Sequence, residues 1–268
     1  MTTIDRDGIT IALDDQGTGS VPILLIHGMA CDRATMTEQF DYFAPTRRTV
    51  AYDQRGHGDS SKPDAAYDPV SLAHDASWLC QTLGLERPVV VGHSLGGTVA
   101  LALAATYPDL TSGIVLLDSV YGLDQAAKDQ LAGFYDMLTD ETYDEVVRAF
   151  VRERLFEQSE EGPAVTRIID LMASCPPSIF VAMGRGILDF DIEAATAAVT
   201  VPALYVASSR PWFDLNELHL ARPDWHLGRT VGAGHFHNLL AAPQVNAMIE
   251  TFVDRIATHW PAAEPSDF

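Results

Sequence analysis

The chain has 268 residues, which is long enough for one domain with a large apolar core and an inserted segment. Apolar residues make up 47% of it and charged residues 20%, as is typical of a soluble globular protein. Its 37 acidic residues outnumber 17 basic ones, and the resulting formal charge of −20 disfavours nucleic acid and anionic membranes as partners.

The first part of the chain alternates short apolar runs with amphipathic stretches. This alternation is typical of βαβ units around a mostly parallel sheet. The predicted strands are residues 9–13, 23–26, 49–52, 88–91 and 114–117. Helices are predicted over 71–83, which ends at Gly84, and over 98–107, which ends before Pro108.

The pattern then changes to a long helical segment. Residues 122–198 contain aromatic helical stretches without a convincing strand, after which strands are predicted at 202–206 and 225–231 and a closing helix at 245–258. We predict an α/β fold with a mostly parallel central sheet flanked by helices. The core domain would comprise residues 1–121 and 199–268. The insertion, residues 122–198, would form a helical lid over the sheet edge where α/β folds bind ligands, or alternatively a scaffolding subdomain.

The strongest functional signal is residues 92–97, Gly-His-Ser-Leu-Gly-Gly, between an apolar strand and an Ala-rich helix. A sharp strand-to-helix turn places Ser94 in a strained, exposed position, and glycine on both sides lets the backbone pass closely. The free N–H groups at the helix N-terminus would face any negative charge that develops there. The pattern predicts Ser94 as a nucleophile.

A serine hydroxyl needs a base near neutral pH. His235 lies in a Gly-rich loop after the last predicted strand, which would let its ring reach the sheet edge. We therefore predict His235 as the base, with His237 as the fallback. The oxyanion donors are predicted to be the backbone N–H groups of Leu95, next to the nucleophile, and of Met29, in the turn after strand 23–26.

Four segments together resemble the α/β-hydrolase superfamily, and the resemblance runs from about residue 5 to residue 258. They are residues 27–28 (His-Gly), 53–60 (Asp-Gln-Arg-Gly-His-Gly-Asp-Ser), 92–97 and 234–236 (Gly-His-Phe). The resemblance implies that segment 53–60 is mainly structural, with Asp53 and Arg55 holding its loop through hydrogen bonds.

Two carboxylates compete for the third position of a catalytic triad. Most superfamily members carry the acid after the strand that is 202–206 here, but residues 207–211 read Ala-Ser-Ser-Arg-Pro and contain no acid. Asp118 ends the preceding strand, where certain amide hydrolases and cofactor-free dioxygenases of the superfamily carry theirs. Asp214 lies further along the chain and would need a shifted loop to reach the imidazole. We expect Asp118 to hold the imidazole tautomer and stabilise the imidazolium, with Asp214 as the fallback.

The favoured function is a serine hydrolase that cleaves a small or medium apolar carboxylic ester or lactone through an acyl-enzyme on Ser94. Substrate contacts are predicted from the aromatic residues Tyr121, Phe134, Trp212 and Phe236. We expect a small-molecule substrate, no cofactor, no metal, and a monomer or homodimer. Three distant cysteines and the lack of a signal-peptide or membrane-spanning pattern favour a cytoplasmic protein.

Two alternatives remain open from the sequence. The same Ser, His and Asp could serve an amide or other C–N hydrolase, or a cofactor-free ring-opening dioxygenase of N-heteroaromatic breakdown in which His235 deprotonates a ring hydroxyl. The fold also occurs in non-catalytic ligand-binding relatives, which often lose one catalytic residue.

Overall fold

A computed structural model of the protein describes residues 2–259 and contains one mostly parallel sheet. Its strands are β1 (Thr2–Arg6), β2 (Ile9–Gln16), β3 (Ile23–Ile26), β4 (Thr49–Tyr52), β5 (Val89–His93), β6 (Gly113–Leu117), β7 (Ala203–Ala207) and β8 (His226–Arg229). They are ordered β1-β2-β4-β3-β5-β6-β7-β8, and only the pairs β1–β2 and β2–β4 are antiparallel. Met1 and residues 260–268, which the sequence assigns to the core domain, lie outside the described residues.

Helices flank the sheet and also form the insertion between β6 and β7. They are α1 (Thr37–Phe43), α2 (Pro69–Leu83), α3 (Leu95–Thr106), α4 (Gln125–Asp136), α5 (Tyr143–Phe150), α6 (Pro163–Ala173), α7 (Pro177–Asp189), α8 (Ile192–Ala198), α9 (Leu215–Ala221), α10 (His237–Leu240) and α11 (Ala242–His259). A 3₁₀ turn at Arg33–Met36 precedes α1, and a π-helical turn at Val151–Leu155 follows α5. This architecture confirms the predicted fold class; the division into a core and a lid domain stays a prediction.

The central strands are buried on both faces, which is why they read as continuous apolar runs. Along β3, Leu24 and Ile26 belong to the apolar cluster on one side of the sheet, while Ile23 and Leu25 belong to the cluster on the other side. All four are fully buried. This alternation fixes the register of the strands, because a slip of one residue would exchange the two faces.

Local signals in the sequence explain where α2 begins and ends. The Asp68 carboxylate caps the helix by accepting the N–H groups of Val70 and Ser71, and Pro69 occupies the first turn. Gly84 ends the helix in the left-handed conformation, at φ 59°. The helix packs against α3 and covers one face of the sheet beside the turn between β5 and α3.

No single helix within residues 2–259 is long and apolar enough to cross a membrane. Helices α6 and α7 meet that test only as a pair, and they are bent by 95° where they join.

Candidate active site

The turn between β5 and α3 holds Ser94 in a strained conformation. Its φ is 54° and its ψ is −119°, and its N–H donates to the carbonyl oxygen of Leu117 on β6 (2.9 Å). A Cβ atom on Gly92 would lie 2.1 Å from the carbonyl oxygen of Gly96, and one on Gly96 would lie 2.2 Å from that of Ile26. Glycine is therefore required on both sides of the serine, and α3 begins at Leu95, three residues earlier than predicted.

The structure brings together His235 and Asp118, which lie 117 positions apart in the chain. His235 Nδ1 lies 2.8 Å from Asp118 Oδ2, and both side chains are buried. Because a carboxylate can only accept, Nδ1 carries the proton and Nε2 is left as a lone-pair acceptor. That arrangement is the one a general base needs.

Asp118 is held by backbone groups as well as by the histidine. Its other oxygen, Oδ1, accepts the N–H of Ser208 (2.9 Å), and its own N–H donates to the carbonyl oxygen of Val206 (2.9 Å). Burial raises the pKa of this carboxyl group, but the hydrogen bonds from His235 and Ser208 outweigh burial and bring the pKa below its ordinary value. The carboxylate is therefore ionised at neutral pH.

The two fallback residues have other partners. Asp214 is exposed and caps α9 by accepting the N–H of Asn216 (3.0 Å). His237 is fully buried with its Nδ1 3.0 Å from the hydroxyl of Thr230, and burial lowers its pKa to about 4. Neither residue lines the cavity that contains Ser94.

The loop that carries His235 is bonded to the insertion. The backbone N–H of His235 donates to the carbonyl oxygen of Leu155 (2.9 Å), and that of Gly234 donates to Glu160 Oε1 (2.9 Å). On the other side of the loop, His93 Nε2 donates to the carbonyl oxygen of His235 (2.9 Å). His235 is thus positioned by groups from the insertion and from β5 at once.

The turn after β3 presents the backbone that was predicted to bind an oxyanion. Met29 lines the cavity beside Ser94, whereas Leu95 is buried at the first position of α3 and offers only its N–H from the helix terminus. The turn is supported by His57, whose Nε2 accepts the N–H of Ala30 (3.1 Å) while its Nδ1 donates to the carbonyl oxygen of Arg55 (3.0 Å). Burial lowers the pKa of His57 to about 3, so it stays neutral and keeps this acceptor.

The segment 53–60 makes structural bonds, as the resemblance implied. Asp53 is fully buried and accepts the backbone N–H groups of Arg33 (2.6 Å) and Asp59 (2.9 Å), and it pairs with the Arg33 guanidinium. Arg55 pairs with Asp75 on α2. These contacts hold the loop behind the oxyanion turn.

A cavity of about 80 Å³ opens beside Ser94 between the sheet edge and the insertion. The core contributes Gly28, Met29, Cys31, His93, Ser94, Val120, Trp212, His235 and Phe236 to its wall. The insertion contributes Leu123, Leu131, Tyr135, Phe150, Leu155, Met172, Gly184, Ile187 and Leu188. Among these described lining residues there is no Asp, Glu, Lys or Arg, so the wall favours uncharged, apolar ligands.

Two of the four predicted substrate contacts belong to this wall and two do not. Phe236 lines it, and so does Trp212, whose indole nitrogen lies 3.4 Å from His235 Nδ1. Tyr121 instead packs on Phe213, with ring centroids 5.3 Å apart, and Phe134 stacks on Phe150 at 4.5 Å. Neither Tyr121 nor Phe134 is part of the wall: the Tyr121 ring packs on the loop after β7, and the Phe134 ring packs within the insertion.

Sequence reasoning missed most of the apolar residues that the insertion places in the wall. Leu131 and Tyr135 lie four residues apart on α4, and Gly184 and Leu188 lie four apart on α7. Residues at that spacing share one helix face. The spacing is visible in the sequence, but which face of an inserted helix turns toward the nucleophile depends on tertiary packing.

Within residues 2–259, no three His, Cys, Asp or Glu side chains form a group that could hold a metal ion. Cys31, the cysteine in the cavity wall, is buried, and burial raises its pKa far above the ordinary value of a thiol. It is therefore an inert part of the wall.

Comparison with known proteins points to one family. A family model described as alpha/beta hydrolase fold matches residues 21–156. A 2-(acetamidomethylene)succinate hydrolase of Mesorhizobium japonicum is 34% identical over 128 residues, which is 48% of this chain and 46% of that protein. The match thus spans less than half of that relative's length.

Two solved structures resemble the whole molecule. A thermophilic esterase from Thermogutta terrifontis superposes with a TM-score of 0.83 at 25% identity, covering 95% of this chain and 97% of the esterase. An enol-lactonase from Burkholderia xenovorans superposes with the same TM-score at 20% identity, covering 94% of this chain and all of the lactonase. With its sheet order, its strained Ser94 turn and a family model that matches half of its length, the chain belongs to the α/β-hydrolase fold family.

Proposed function

We propose that the protein is a serine hydrolase that cleaves a small or medium apolar carboxylic ester or lactone through an acyl-enzyme on Ser94. The observation that carries the proposal is the 2.8 Å hydrogen bond between His235 Nδ1 and Asp118, at a cavity that Ser94 and His235 both line. The insertion, residues 122–198, serves in this proposal as the lid that shapes the cavity.

Acylation begins when Ser94 Oγ attacks the ester carbonyl carbon and His235 Nε2 accepts the hydroxyl proton. The imidazolium is stabilised by Asp118, which stays ionised. The carbonyl oxygen becomes an oxyanion that accepts the N–H groups of Leu95 and Met29. The tetrahedral intermediate then expels the alcohol oxygen, which takes the proton from His235 Nε2.

Deacylation repeats the sequence with water as the nucleophile. His235 Nε2 takes a proton from the water as its oxygen bonds to the acyl carbon, and a second tetrahedral intermediate forms at the same oxyanion site. Its collapse breaks the bond to Ser94 Oγ and returns the proton to that oxygen. The products are the carboxylic acid and the free enzyme.

The wall of the cavity supports an uncharged substrate. A succinate such as the one named for the Mesorhizobium relative carries two carboxylates, and burying a carboxylate without a cationic or multiple hydrogen-bonding partner is costly. The described wall residues include no Lys or Arg. The esterase and the enol-lactonase among the similar structures agree with an ester or lactone.

An amide or C–N hydrolase is the second candidate. It is supported by the acid at the end of β6 and by the Mesorhizobium relative, whose name is that of an acetamido-compound hydrolase. An ester and the anilide of the same apolar acid separate the two candidates. Preference for the anilide would replace the first proposal with the second.

The test of the proposal is covalent labelling of the serine. After treatment with a fluorophosphonate, intact mass should show one adduct on the wild type and none on Ser94→Ala, which should also lose hydrolysis of a short p-nitrophenyl ester. Loss of a catalytic serine typically costs on the order of 10⁶-fold in turnover. Absence of both adduct and turnover in the wild type would contradict the proposal, and oxygen consumption with hydroxylated N-heteroaromatics would be measured next.

A further inference from the structure

Tyr135 on α4 places a polar group in the otherwise apolar part of the cavity wall. The residue is 7% exposed, and its hydroxyl donates to no other residue in the described part of the chain. The wall around it consists of apolar side chains from the insertion, including Leu131, Met172 and Leu188. The hydroxyl is not among the fully buried polar atoms that lack a partner, so it is accessible from the cavity and open to a ligand or to water.

The other buried tyrosines of the insertion and the sheet mostly satisfy their hydroxyls. Tyr143 on α5 donates to the carbonyl oxygen of Met172 (3.4 Å), and Tyr205 on β7 donates to that of Ser119 (2.6 Å). The Tyr52 hydroxyl has no partner among the described residues either, but it lies in the sheet and does not line the cavity. Tyr135 is therefore the described tyrosine that combines an unused hydroxyl with a place in the cavity wall.

Helix α7 leaves room for this phenol. A Cβ atom on Gly184 would lie 2.1 Å from Cζ of Tyr135 and 2.5 Å from its hydroxyl oxygen. Any larger residue at 184 would displace the ring, so the glycine and the tyrosine form one packing unit at the wall. The clash involves the ring atoms as well as the hydroxyl, so the glycine is required by the aromatic ring at position 135.

The hydroxyl acts as a neutral donor. Burial raises the pKa of Tyr135 to about 12, so the phenol keeps its proton at neutral pH. A single neutral donor in an apolar wall suits an uncharged acceptor such as a keto, ether or ester oxygen. It does not compensate the burial of a carboxylate, which needs charge-assisted or multiple donors.

We propose that Tyr135 is a specificity-determining residue whose hydroxyl binds a second, uncharged oxygen on the apolar portion of the substrate. The inference rests on the proposed function, because it concerns the substrate of the same cavity. It narrows that substrate from an apolar ester or lactone to one with an additional keto, ether or ester oxygen away from the scissile carbonyl.

The experiment compares pairs of p-nitrophenyl esters of equal chain length, in which one acyl methylene is replaced by an ether oxygen or a keto group at successive positions. The enzymes are the wild type, Tyr135→Phe and Tyr143→Phe. The last is a matched control, because it removes the same hydroxyl from a buried tyrosine of the insertion that does not line the cavity. The readouts are kcat, KM and Tm.

At one chain position, the wild type should prefer the oxygenated ester in kcat/KM by about five- to tenfold over its hydrocarbon partner, as one net hydrogen bond provides. Tyr135→Phe should abolish that preference, mainly through KM, with an unchanged Tm. Tyr143→Phe should keep the preference and lower Tm. A preference that survives Tyr135→Phe, no preference at any position, or a fall in Tm for Tyr135→Phe like that of Tyr143→Phe would overturn the inference.

Binding without turnover separates this inference from the proposed function. Dissociation constants for the same ester pairs are measured with Ser94→Ala and with Ser94→Ala/Tyr135→Phe. If the wild type hydrolyses no ester but the oxygenated partner binds more tightly only when Tyr135 is present, the proposed function fails and Tyr135 remains a binding residue. If the wild type hydrolyses the esters but the ratio of the two dissociation constants is the same with and without the Tyr135 hydroxyl, only the inference about Tyr135 fails.

Discussion

Backbone strain at single residues is concentrated around the cavity. Five described non-glycine residues have a positive φ, and three of them are Ser94, Asp118 (φ 47°) and Ala30 (φ 55°) in the oxyanion turn. Such conformations cost on the order of 1 kcal/mol each and persist only where the surroundings hold them. Here the hydrogen bonds of Ser94 to Leu117 and of Ala30 to His57 hold them. Under the proposed function, this strain would orient the reacting groups before substrate arrives.

Replacing Asp118 tests the acid. Asp118→Asn keeps the oxygen that accepts from Ser208 but no longer fixes the His235 tautomer, so kcat for a p-nitrophenyl ester should fall by about 10⁴-fold with little change in Tm. Asp214→Asn is the control and should reduce kcat less than about twofold, because Asp214 caps an exposed helix. The opposite ranking of the two variants would assign the acid to Asp214.

Local spacing predicted the strained turn at Ser94, whereas the Asp118–His235 pair and the cavity wall depend on long-range packing. The turn geometry of Ser94 follows from the neighbouring glycines, so the six residues 92–97 are sufficient to predict it. Asp118 and His235 are 117 positions apart, and only the parallel pairing of β6 with β7 and the loop after β8 brings them together. Phe134 and Tyr135 are adjacent in sequence, yet only Tyr135 faces the cavity.

At the scale of elements, the loop that follows the π-helical turn Val151–Leu155 connects the insertion to the loop that carries His235. Glu160 accepts two backbone N–H groups, that of Gly234 with Oε1 and that of Glu157 with Oε2 (2.6 Å). Glu157 in turn accepts the hydroxyl of Ser209 from the loop after β7 (2.6 Å). One acidic segment thus ties together the insertion, the His235 loop and the loop after β7.

Removing the Glu160 carboxylate should loosen the His235 loop without changing the cavity wall. Glu160→Ala should lower kcat about tenfold with a smaller change in KM. Displacement of the proposed base slows proton transfer, whereas the cavity wall that binds the substrate is unchanged. Steady-state hydrolysis of a p-nitrophenyl ester measures the separate changes in kcat and KM. Glu161→Ala removes a neighbouring exposed carboxylate and should leave kcat unchanged. Equal effects of the two substitutions would show that only surface charge had been measured.

The strands were predictable from the sequence where both of their faces are buried. The predicted strands at 23–26 and 49–52 match β3 and β4, because strands buried on both faces are continuous apolar runs. The sequence pattern missed β1, an edge strand with exposed residues, and the short helices α1 and α9, whose apolar faces are narrow. These elements are stabilised by contacts with the rest of the molecule rather than by their own pattern.

For the whole molecule, buried neutral histidines link folding to pH. His27, His57, His93 and His237 are buried, and burial lowers the pKa of each below the ordinary value of 6.5. Between that value and the folded-state pKa, the unfolded chain binds protons that the folded chain does not. The stability that these neutral histidines contribute is therefore fully present above pH 6.5 and is lost as pH falls from 6.5 toward their folded-state pKa values. Protonation of the carboxylates whose pKa is lowered destabilises the folded state only at still lower pH.

The free energy of unfolding should be lower at pH 5 than at pH 7. Each histidine whose folded pKa lies well below 5 contributes a loss of about 2 kcal/mol at pH 5. Urea denaturation at both values measures the difference. His237→Gln, which removes one such group, should reduce the difference by about that amount. A wild-type protein equally stable at both pH values would contradict the prediction.

Asp118 of the Asp118–His235 pair lies at the end of β6, so under the proposed function the loop after β7 carries no catalytic side chain. That loop, residues 208–214, gives Asp118 only a backbone N–H and contributes Trp212 to the cavity wall. Apart from Ser209, which bonds Glu157, and Trp212, which approaches His235 Nδ1, we expect its side chains to tolerate substitution without loss of proton transfer. Randomised libraries aimed at new specificity therefore belong at residues 210, 211 and 213 of this loop.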